Sequence, residues 1–394
     1  MLENQPAATA QNVPLSHDPE QTKQQADTLV SLAQNAPLGD GGQEASRLLS
    51  QALEIDPQHH EAQLLREQLF QMFVPRWHFP MLADKTRNTA YAKAIAAKVK
   101  PGDIVLDIGS GAGLTAMLAA RAGAKHVYAC EQQPLIAEAA KRVIAANGLS
   151  DKITVISKWS HNIVVGEDIP ERADVVLSEI VDSNLLGEGA LATLAHAMAT
   201  LAKPGARAIP ESGTVRAQLV ESDKLVNLWR PQEAEGFDLS AFHHFASVAQ
   251  VTPNDFTACG LRPLGPATDL FQFDFANPSI DADRITTELM SAGSGTIHAV
   301  CLSFEMVLAP GISVTNGLGT EDDTDGHWGR TAYLLDRAVP AHKGARLTIT
   351  AQHDATKLSV SIHERPAMIV NNGTSPTLQT GWTPAPAIRA HSAG

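Results

Sequence analysis

Cysteine is scarce in this 394-residue chain: Cys130, Cys259 and Cys301 are odd in number and widely spaced. That argues against a disulfide framework or a cysteine-built zinc cluster and suits a reducing compartment. Long apolar runs are missing too, none approaching the roughly 18 residues needed to cross a bilayer. Met1 to Asp18 lack a basic segment followed by an apolar one, so no secretory leader is expected. Positive charge is the third shortage. The formal net charge of −13 argues against direct nucleic-acid binding, which leaves a basic footprint, and is compatible with cationic substrates. Histidines such as His59-His60 and His243-His244 show no metal-ligand arrangement, so no metal is expected. A cytoplasmic protein is expected, with neither membrane nor nucleic acid among its partners.

What is present is enough apolar residue, 44%, for two or three packed domains. Residues 1–18 are polar and are expected to be disordered. Residues 19–75 read as helical, most clearly over Ala45 to Asp56, where apolar residues recur at helical spacing. Asp56-Pro57 is expected to cap one helix and open the next. Between Asp103 and Pro204 strand and helix patterns alternate: strands at Ile104–Ile108, His126–Cys130, Ile153–Ile156 and Asp174–Leu177, helices at Leu114–Ala122, Pro134–Ala146 and Leu191–Leu201. This alternation predicts a parallel sheet covered on both faces, within a unit spanning 76–205. Lys203-Pro204-Gly205 is expected to end its last helix. Residues 206–372 read as an all-β domain, a sandwich or barrel, interrupted by a partly helical insertion at 222–250; 373–394 read as a loose tail.

Leu106-Asp107-Ile108-Gly109-Ser110-Gly111-Ala112-Gly113 leaves a strand and opens a helix. Glycines there permit a tight turn and let backbone N–H groups approach a ligand. A dinucleotide site competes with this reading, but the spacing does not complete the dinucleotide fingerprint. Asp107 before Ile108-Gly109 matches the S-adenosylmethionine motif instead. Glu131, ending the second strand, is placed to accept from both ribose hydroxyls, and Lys158-Trp159-Ser160 follows the third strand where an adenine edge would lie. Downstream, Leu177 to Gly189 carries Glu179 and Glu188 on one short loop. Paired carboxylates suit a forked, permanent cation such as guanidinium.

With these residues in view, the chain resembles the protein arginine methyltransferases from about Trp77 to Ile362. Met81 to Tyr91 resembles the family's N-terminal helix motif; the glycine motif, the double-glutamate loop and His327-Trp328 complete the likeness. Arg76 to Leu82 and Phe256-Thr257 resemble the monomethylating and symmetric-dimethylating subfamilies, and the helical start resembles a tetratricopeptide repeat, with a plain helical hairpin as the alternative. Gly326 stands where relatives carry threonine before the histidine, and the aromatic motif ahead of the first helix is poorly matched by Leu69, Met72 and Phe73.

The resemblance implies a Rossmann-like methyltransferase domain, then a β-barrel, and methyl transfer to a terminal guanidino nitrogen with a mono- or symmetric dimethyl product. It implies that Arg87 pairs with the carboxylate of the cofactor's methionine part and that Gln132 and Glu179 join the cofactor site. His78 and Met81 are expected near the substrate, Trp328 on the substrate channel wall, and Asp84 beside His327 as a proton-handling pair. Glu179 and Glu188 are expected to grip the guanidinium. The 222–250 insertion is expected to act as the arm of a homodimer through Leu225, Leu228, Trp229, Phe237, Leu239, Phe242 and Phe245. The substrate is an arginine-containing protein or free arginine; a scaffold with a decayed site is the third reading. The N-terminal helices are expected to offer a surface to a peptide partner.

Overall fold

The computed structural model describes residues 19–318 and 326–363. The expected disordered start, the tail, and the end of the β domain beyond residue 363 lie outside the described residues. Three helices come first: α1 (Pro19–Gln34), α2 (Gln43–Ile55) and α3 (His60–Phe73). On α2 the stripe Ala45, Leu48, Leu49, Ala52 and Leu53 is buried, against Ala26 and Val30 of α1 and Leu69 of α3. Each leucine so buried contributes about 2 kcal/mol. This core is separate from that of the rest of the chain. The helix expected to open at Pro57 starts at His60: Asp56 Oδ1 accepts from Gln58 N–H at 3.0 Å, and the His59 ring caps Ala62 N–H at 3.2 Å. The turn and cap chemistry moved the start by one turn. Gln133 Nε2 donates to Gly41 O at 3.2 Å, tying the helical unit to the sheet domain.

Two more helices, α4 (His78–Ala83) and α5 (Lys85–Lys98), lead into β1 (Ile104–Ile108), α6 (Leu114–Arg121), β2 (His126–Cys130), α7 (Pro134–Ala146), β3 (Ile153–Ile156), β4 (Ala173–Ser178), α8 (Ala190–His196, with a π-helical turn to Leu201) and β5 (Ala202–Ile209). The sheet is parallel, in the order β3-β2-β1-β4-β5, and β1 is buried along its whole length. Strand β5 corrects the sequence reading, because Lys203-Pro204-Gly205 lies inside it. The strand sits at the sheet's edge and slips register between Ala202 and Arg207, and an irregular edge strand tolerates proline.

The chain then enters antiparallel structure: β6 (Ser212–Glu221), α9 (Asp223–Trp229), a short hairpin of β7 (Glu233–Ala234) and β8 (Phe237–Asp238), β9 (Val248–Val251), α10 (Pro253–Cys259), β10 (Arg262–Pro263), β11 (Thr268–Asp274), β12 (Asp283–Met290), β13 (Gly295–Ala309), β14 (Ile312–Thr315), β15 (Arg330–Ala341), β16 (Arg346–His353) and β17 (Leu358–His363). A seven-stranded sheet follows the path β10-β6-β13-β15-β9, with β11 on β6 and β14 on β13; a second sheet runs β12-β16-β17. The largest core is continuous from the parallel sheet into both of these. That continuity fixes the loop that follows β4 between the two domains. Strand β12 escaped the sequence reading because it is an edge strand, mostly exposed and weakly patterned. The insertion at 222–250 comprises α9, the β7–β8 hairpin and part of β9. Leu228, Phe237, Phe242 and Phe245 are exposed on it, whereas Leu225, expected among its contact residues, is wholly buried against Ala249 and Phe256.

Candidate active site

The cleft at the carboxyl ends of β1, β2 and β4 begins with the glycine loop. Gly109, Gly111 and Gly113 all have positive φ (69°, 51° and 83°), which side chains with a β-carbon resist. A β-carbon on Gly109 would collide with Ile180, so the loop and the carboxylate loop are in direct contact. Asp107 is buried beneath, accepting from Thr115 Oγ1 at 2.7 Å. Burial lifts its carboxyl to about 7, opposed by that hydrogen bond and by Arg87. Glu131 accepts from Gly111 N–H (3.1 Å) and Gln133 N–H (2.8 Å), and burial raises its pKa. Backbone amides and one carboxylate thus hold this end in shape.

The opposite wall carries the two glutamates. Glu179 follows β4 and forms a buried ion pair with Arg87 of α5 at 2.7 Å. Burial raises the Glu179 pKa while Arg87 and His327 pull it down. Arg87 Nη1 donates to Asn88 Oδ1 at 2.8 Å, and the guanidinium carbon lies 5.1 Å from the Tyr91 ring centroid. The Tyr91 hydroxyl donates to Ser178 O at 3.1 Å, which supports the end of β4. Glu188 sits at φ 59°, ψ 13° between Gly187 and Gly189 and caps no helix with its side chain. Desolvation, then the charges of Glu179, Asp182 and Glu131, push its carboxyl up to about 7.

From the β domain comes His327. Its Nδ1 lies 2.9 Å from Asp84 Oδ2, and its N–H donates to the same oxygen at 3.1 Å. Asp84 is also the N-cap of α5, accepting from Arg87 N–H at 2.8 Å. Burial alone would raise its pKa, but the hydrogen bonds from His327 and Arg87 leave it lowered. The predicted pair therefore forms across 243 residues of chain. Trp328 packs on His327 and Phe304, and its indole N–H points to Val181 O at 3.4 Å.

Of the residues singled out from sequence, His78, Met81, Arg87, Gly109, Gly111, Glu131, Gln132, Lys158, Trp159, Glu179 and Glu188 line one cleft. Asp107, Gly113, Asp84, His327 and Trp328 stand behind its walls. Trp328 is a core residue, 8% exposed, instead of the channel wall expected of it, because Phe304 and His327 pack against its ring and the Val181 carbonyl takes the indole N–H. Arg87, expected to pair with the cofactor's carboxylate, spends one nitrogen on Glu179. Sequence reading missed Ser110, Ser160, Thr193, Ile136, Phe73 and Trp77, which also line the cleft. Ser110, Ser160 and Trp77 lay inside motifs already quoted, and Phe73 inside the poorly matched aromatic motif; Phe73 arrives from the end of α3 and Trp77 from the turn before α4.

The residues fit S-adenosylmethionine. Among the described residues, Arg87 Nε, Ser110 Oγ and Ser160 Oγ are buried without hydrogen-bond partners, at sites on the cleft wall where a polar ligand would satisfy them. Among the described residues no group of three or more His, Cys, Asp or Glu side chains is placed to hold a metal, and no helix is long and apolar enough to cross a membrane.

Comparison with known proteins agrees with this architecture. Residues 88–234 match the family model of ribosomal protein L11 methyltransferase (PrmA). The chain is 37% identical over 343 residues to an arginine N(omega)-methyltransferase of Streptomyces achromogenes subsp. streptozoticus, covering 85% of this chain and 90% of that protein. It is 33% identical over 313 residues to protein arginine N-methyltransferase 7 of Danio rerio, covering 72% of this chain but only 45% of the relative. In fold it is similar to the Trypanosoma brucei PRMT1 enzyme–prozyme heterotetrameric complex with AdoHcy (TM-score 0.62, 21% identity, 74% of this chain and 94% of that one). PRMT6 is similar as well (TM-score 0.57, 23% identity, 73% and 98%). The chain belongs to the arginine N-methyltransferase family, with a Rossmann-like, S-adenosylmethionine-dependent methyltransferase domain followed by a barrel-like β domain.

Proposed function

We propose that this enzyme methylates a terminal guanidino nitrogen of arginine in a protein, giving a mono- or symmetric dimethyl product, and that Glu179 and Glu188 select the guanidinium. The observation that carries this is the pair of carboxylates on one wall of the cleft, facing the glycine loop that suits the cofactor. The bound cofactor supplies an activated sulfonium methyl group. The protein's part is alignment and a usable nitrogen. A guanidinium is a weak nucleophile because its lone pairs are delocalised. Two carboxylates localise positive charge on the nitrogens they contact and leave the third free to attack in line. Glu179, held by Arg87, is the fixed jaw, and Glu188 the jaw that gains charge when it ionises. Once the methyl group had been accepted, the guanidino nitrogen would carry a proton that the protein must take up. Glu188, with its pKa near 7, is the proposed first acceptor. Asp84 and His327 lie behind the wall, where the pair orients Arg87 and Glu179 and offers the proton an onward route.

In this reading Arg87 Nε, Asp107, Gly109, Gly111, Gly113, Glu131, Gln132, Lys158 and Trp159 hold or shape the cofactor site, and His78 and Met81 border the substrate. The exposed Leu228, Phe237, Phe242 and Phe245 support a homodimer made through the 222–250 arm. The reading with free arginine as substrate is favoured by the Streptomyces relative, whose name specifies arginine and which the chain matches over nearly its whole length. Incubation with labelled cofactor and either free arginine or an arginine-rich protein separates the two. Label in the protein alone is expected; label only in the small molecule sinks the protein reading. Mass and isomer analysis of the modified arginine then gives the product.

A further inference from the structure

Between the two glutamates the chain adopts an unusual path. Leu185 (φ 65°) and Glu188 (φ 59°) both lie in the left-handed region, although neither is glycine. Leu185 is wholly buried, and its side chain reaches the first strand of the β domain at Gly213. Asp182 holds this path from inside. Its Oδ1 accepts from Asn184 N–H at 2.9 Å and from Leu186 N–H at 3.1 Å, and its carbonyl accepts from Leu185 N–H at 3.1 Å. Gly187 lies flat on the same side chain: a β-carbon there would sit 2.5 Å from that of Asp182. Outside, Asn184 Nδ2 donates to Thr331 Oγ1 of β15 at 3.2 Å, which pins the loop to the β domain.

We propose that Asp182 is a positioning residue for methyl transfer: its carboxylate, by gathering the amides of Asn184 and Leu186, sets the left-handed turn that aims Glu188 into the cleft. The inference rests on the reading of Glu188 as a guanidinium-gripping group. Asp182 is not assigned to the substrate; it acts through the backbone that carries Glu188. Its charge has a second consequence, because the groups that face Glu188 are Glu179 beyond β4, Glu131 beyond β2 and Asp182 itself, while the nearby Arg87 is committed to Glu179. Glu179, Asp182 and Glu131 all push the Glu188 carboxyl up, so neutralising Asp182 with the turn kept is expected to lower it.

Asp182→Asn and Asp182→Ala separate the two effects, since asparagine keeps the acceptor oxygen and alanine does not. In the full-length protein, kcat and KM are measured with the arginine substrate the enzyme accepts, and S-adenosylhomocysteine binding is measured by calorimetry. Asp182→Ala is expected to lower kcat by ~30-fold or more, since misplacements near 1 Å reach about a hundredfold, with cofactor-product affinity held. Asp182→Asn is expected to keep kcat within about fivefold and to move the acidic limb of the kcat/KM profile to lower pH. If Asp182→Ala does not fold, Asp182→Ser, with its single, shorter oxygen, takes its place with a kcat between the other two. Full kcat in the alanine variant overturns the proposal, as does an asparagine variant no better than alanine. Glu188→Gln is run beside them: an active Glu188→Gln overturns the gripping reading itself, whereas an inactive Glu188→Gln with an active Asp182→Ala overturns only the positioning role.

Discussion

The two ends of the cleft are built in different ways. Most of the glycine end comes from one stretch, residues 107–133, crossing from β1 to the start of α7, where Glu131 accepts from two backbone amides and Asp107 from the Thr115 hydroxyl. The carboxylate end needs three stretches: Asp84 and Arg87 before the sheet, the 179–188 loop after β4, and His327 from the β domain. A nucleotide-bearing ligand can be held by backbone, which any sequence supplies once glycine permits the turn. A cation must be met by side-chain carboxylates that resist ionising together, so the protein spends an arginine and a histidine on keeping one of them charged. The contrast teaches that binding and chemistry in this cleft answer to different parts of the chain.

The contrast is broken most sharply at Glu188. Glu188→Gln is expected to cut kcat by about a thousandfold, the scale of losing a charge-stabilising group, with S-adenosylhomocysteine affinity unchanged by calorimetry. Arg87 is proposed to serve both ends. Arg87→Met leaves Glu179 buried without its partner, a loss of about 3–5 kcal/mol by denaturant unfolding, and is expected to weaken cofactor binding and turnover together. If only one of the two falls, the division between the ends is misdrawn. On the glycine side, Glu131→Gln is expected to raise the cofactor dissociation constant by ~10-fold, the worth of a charged hydrogen bond, with kcat at saturation within about threefold. The smallest effect is one of pH. Glu188 must be ionised to hold a cation and titrates at about 7 in the free enzyme, so kcat/KM is expected to be half-maximal there and to fall as pH drops. The limb in kcat lies lower, because a bound guanidinium favours the carboxylate. A flat profile between pH 6 and 8 would remove Glu188 from the role.

Legibility followed the same division. Glycine loop, Asp107 and Glu131 were readable because each element they occupy carries its own pattern: an apolar strand, three glycines with one spacing, an acidic residue ending the next strand. The double-glutamate loop was readable as a motif, yet its shape was not, since nothing in Val181 to Leu186 announces two left-handed residues held by Asp182. Trp328 read as a channel residue and lies in the core; Leu225 read as an arm contact and lies beneath the arm. In both, the residue type suits either place and only the neighbours decide. Strand β5 was hidden by a proline and a glycine that an edge bulge accommodates.

By itself the sequence determined the order of helical, α/β and β units, the glycine loop and a pair of carboxylates suited to a guanidinium. It could do so because periodicity and turn chemistry are local. Tertiary structure decided that Arg87 pairs with Glu179, formed the Asp84–His327 pair that the resemblance implied, and brought Phe73 at the end of α3 and Trp77 in the following turn to the cleft. Those meetings depend on one continuous core joining the parallel sheet to the β domain, and on burial that makes a lone charge too costly to leave unpaired.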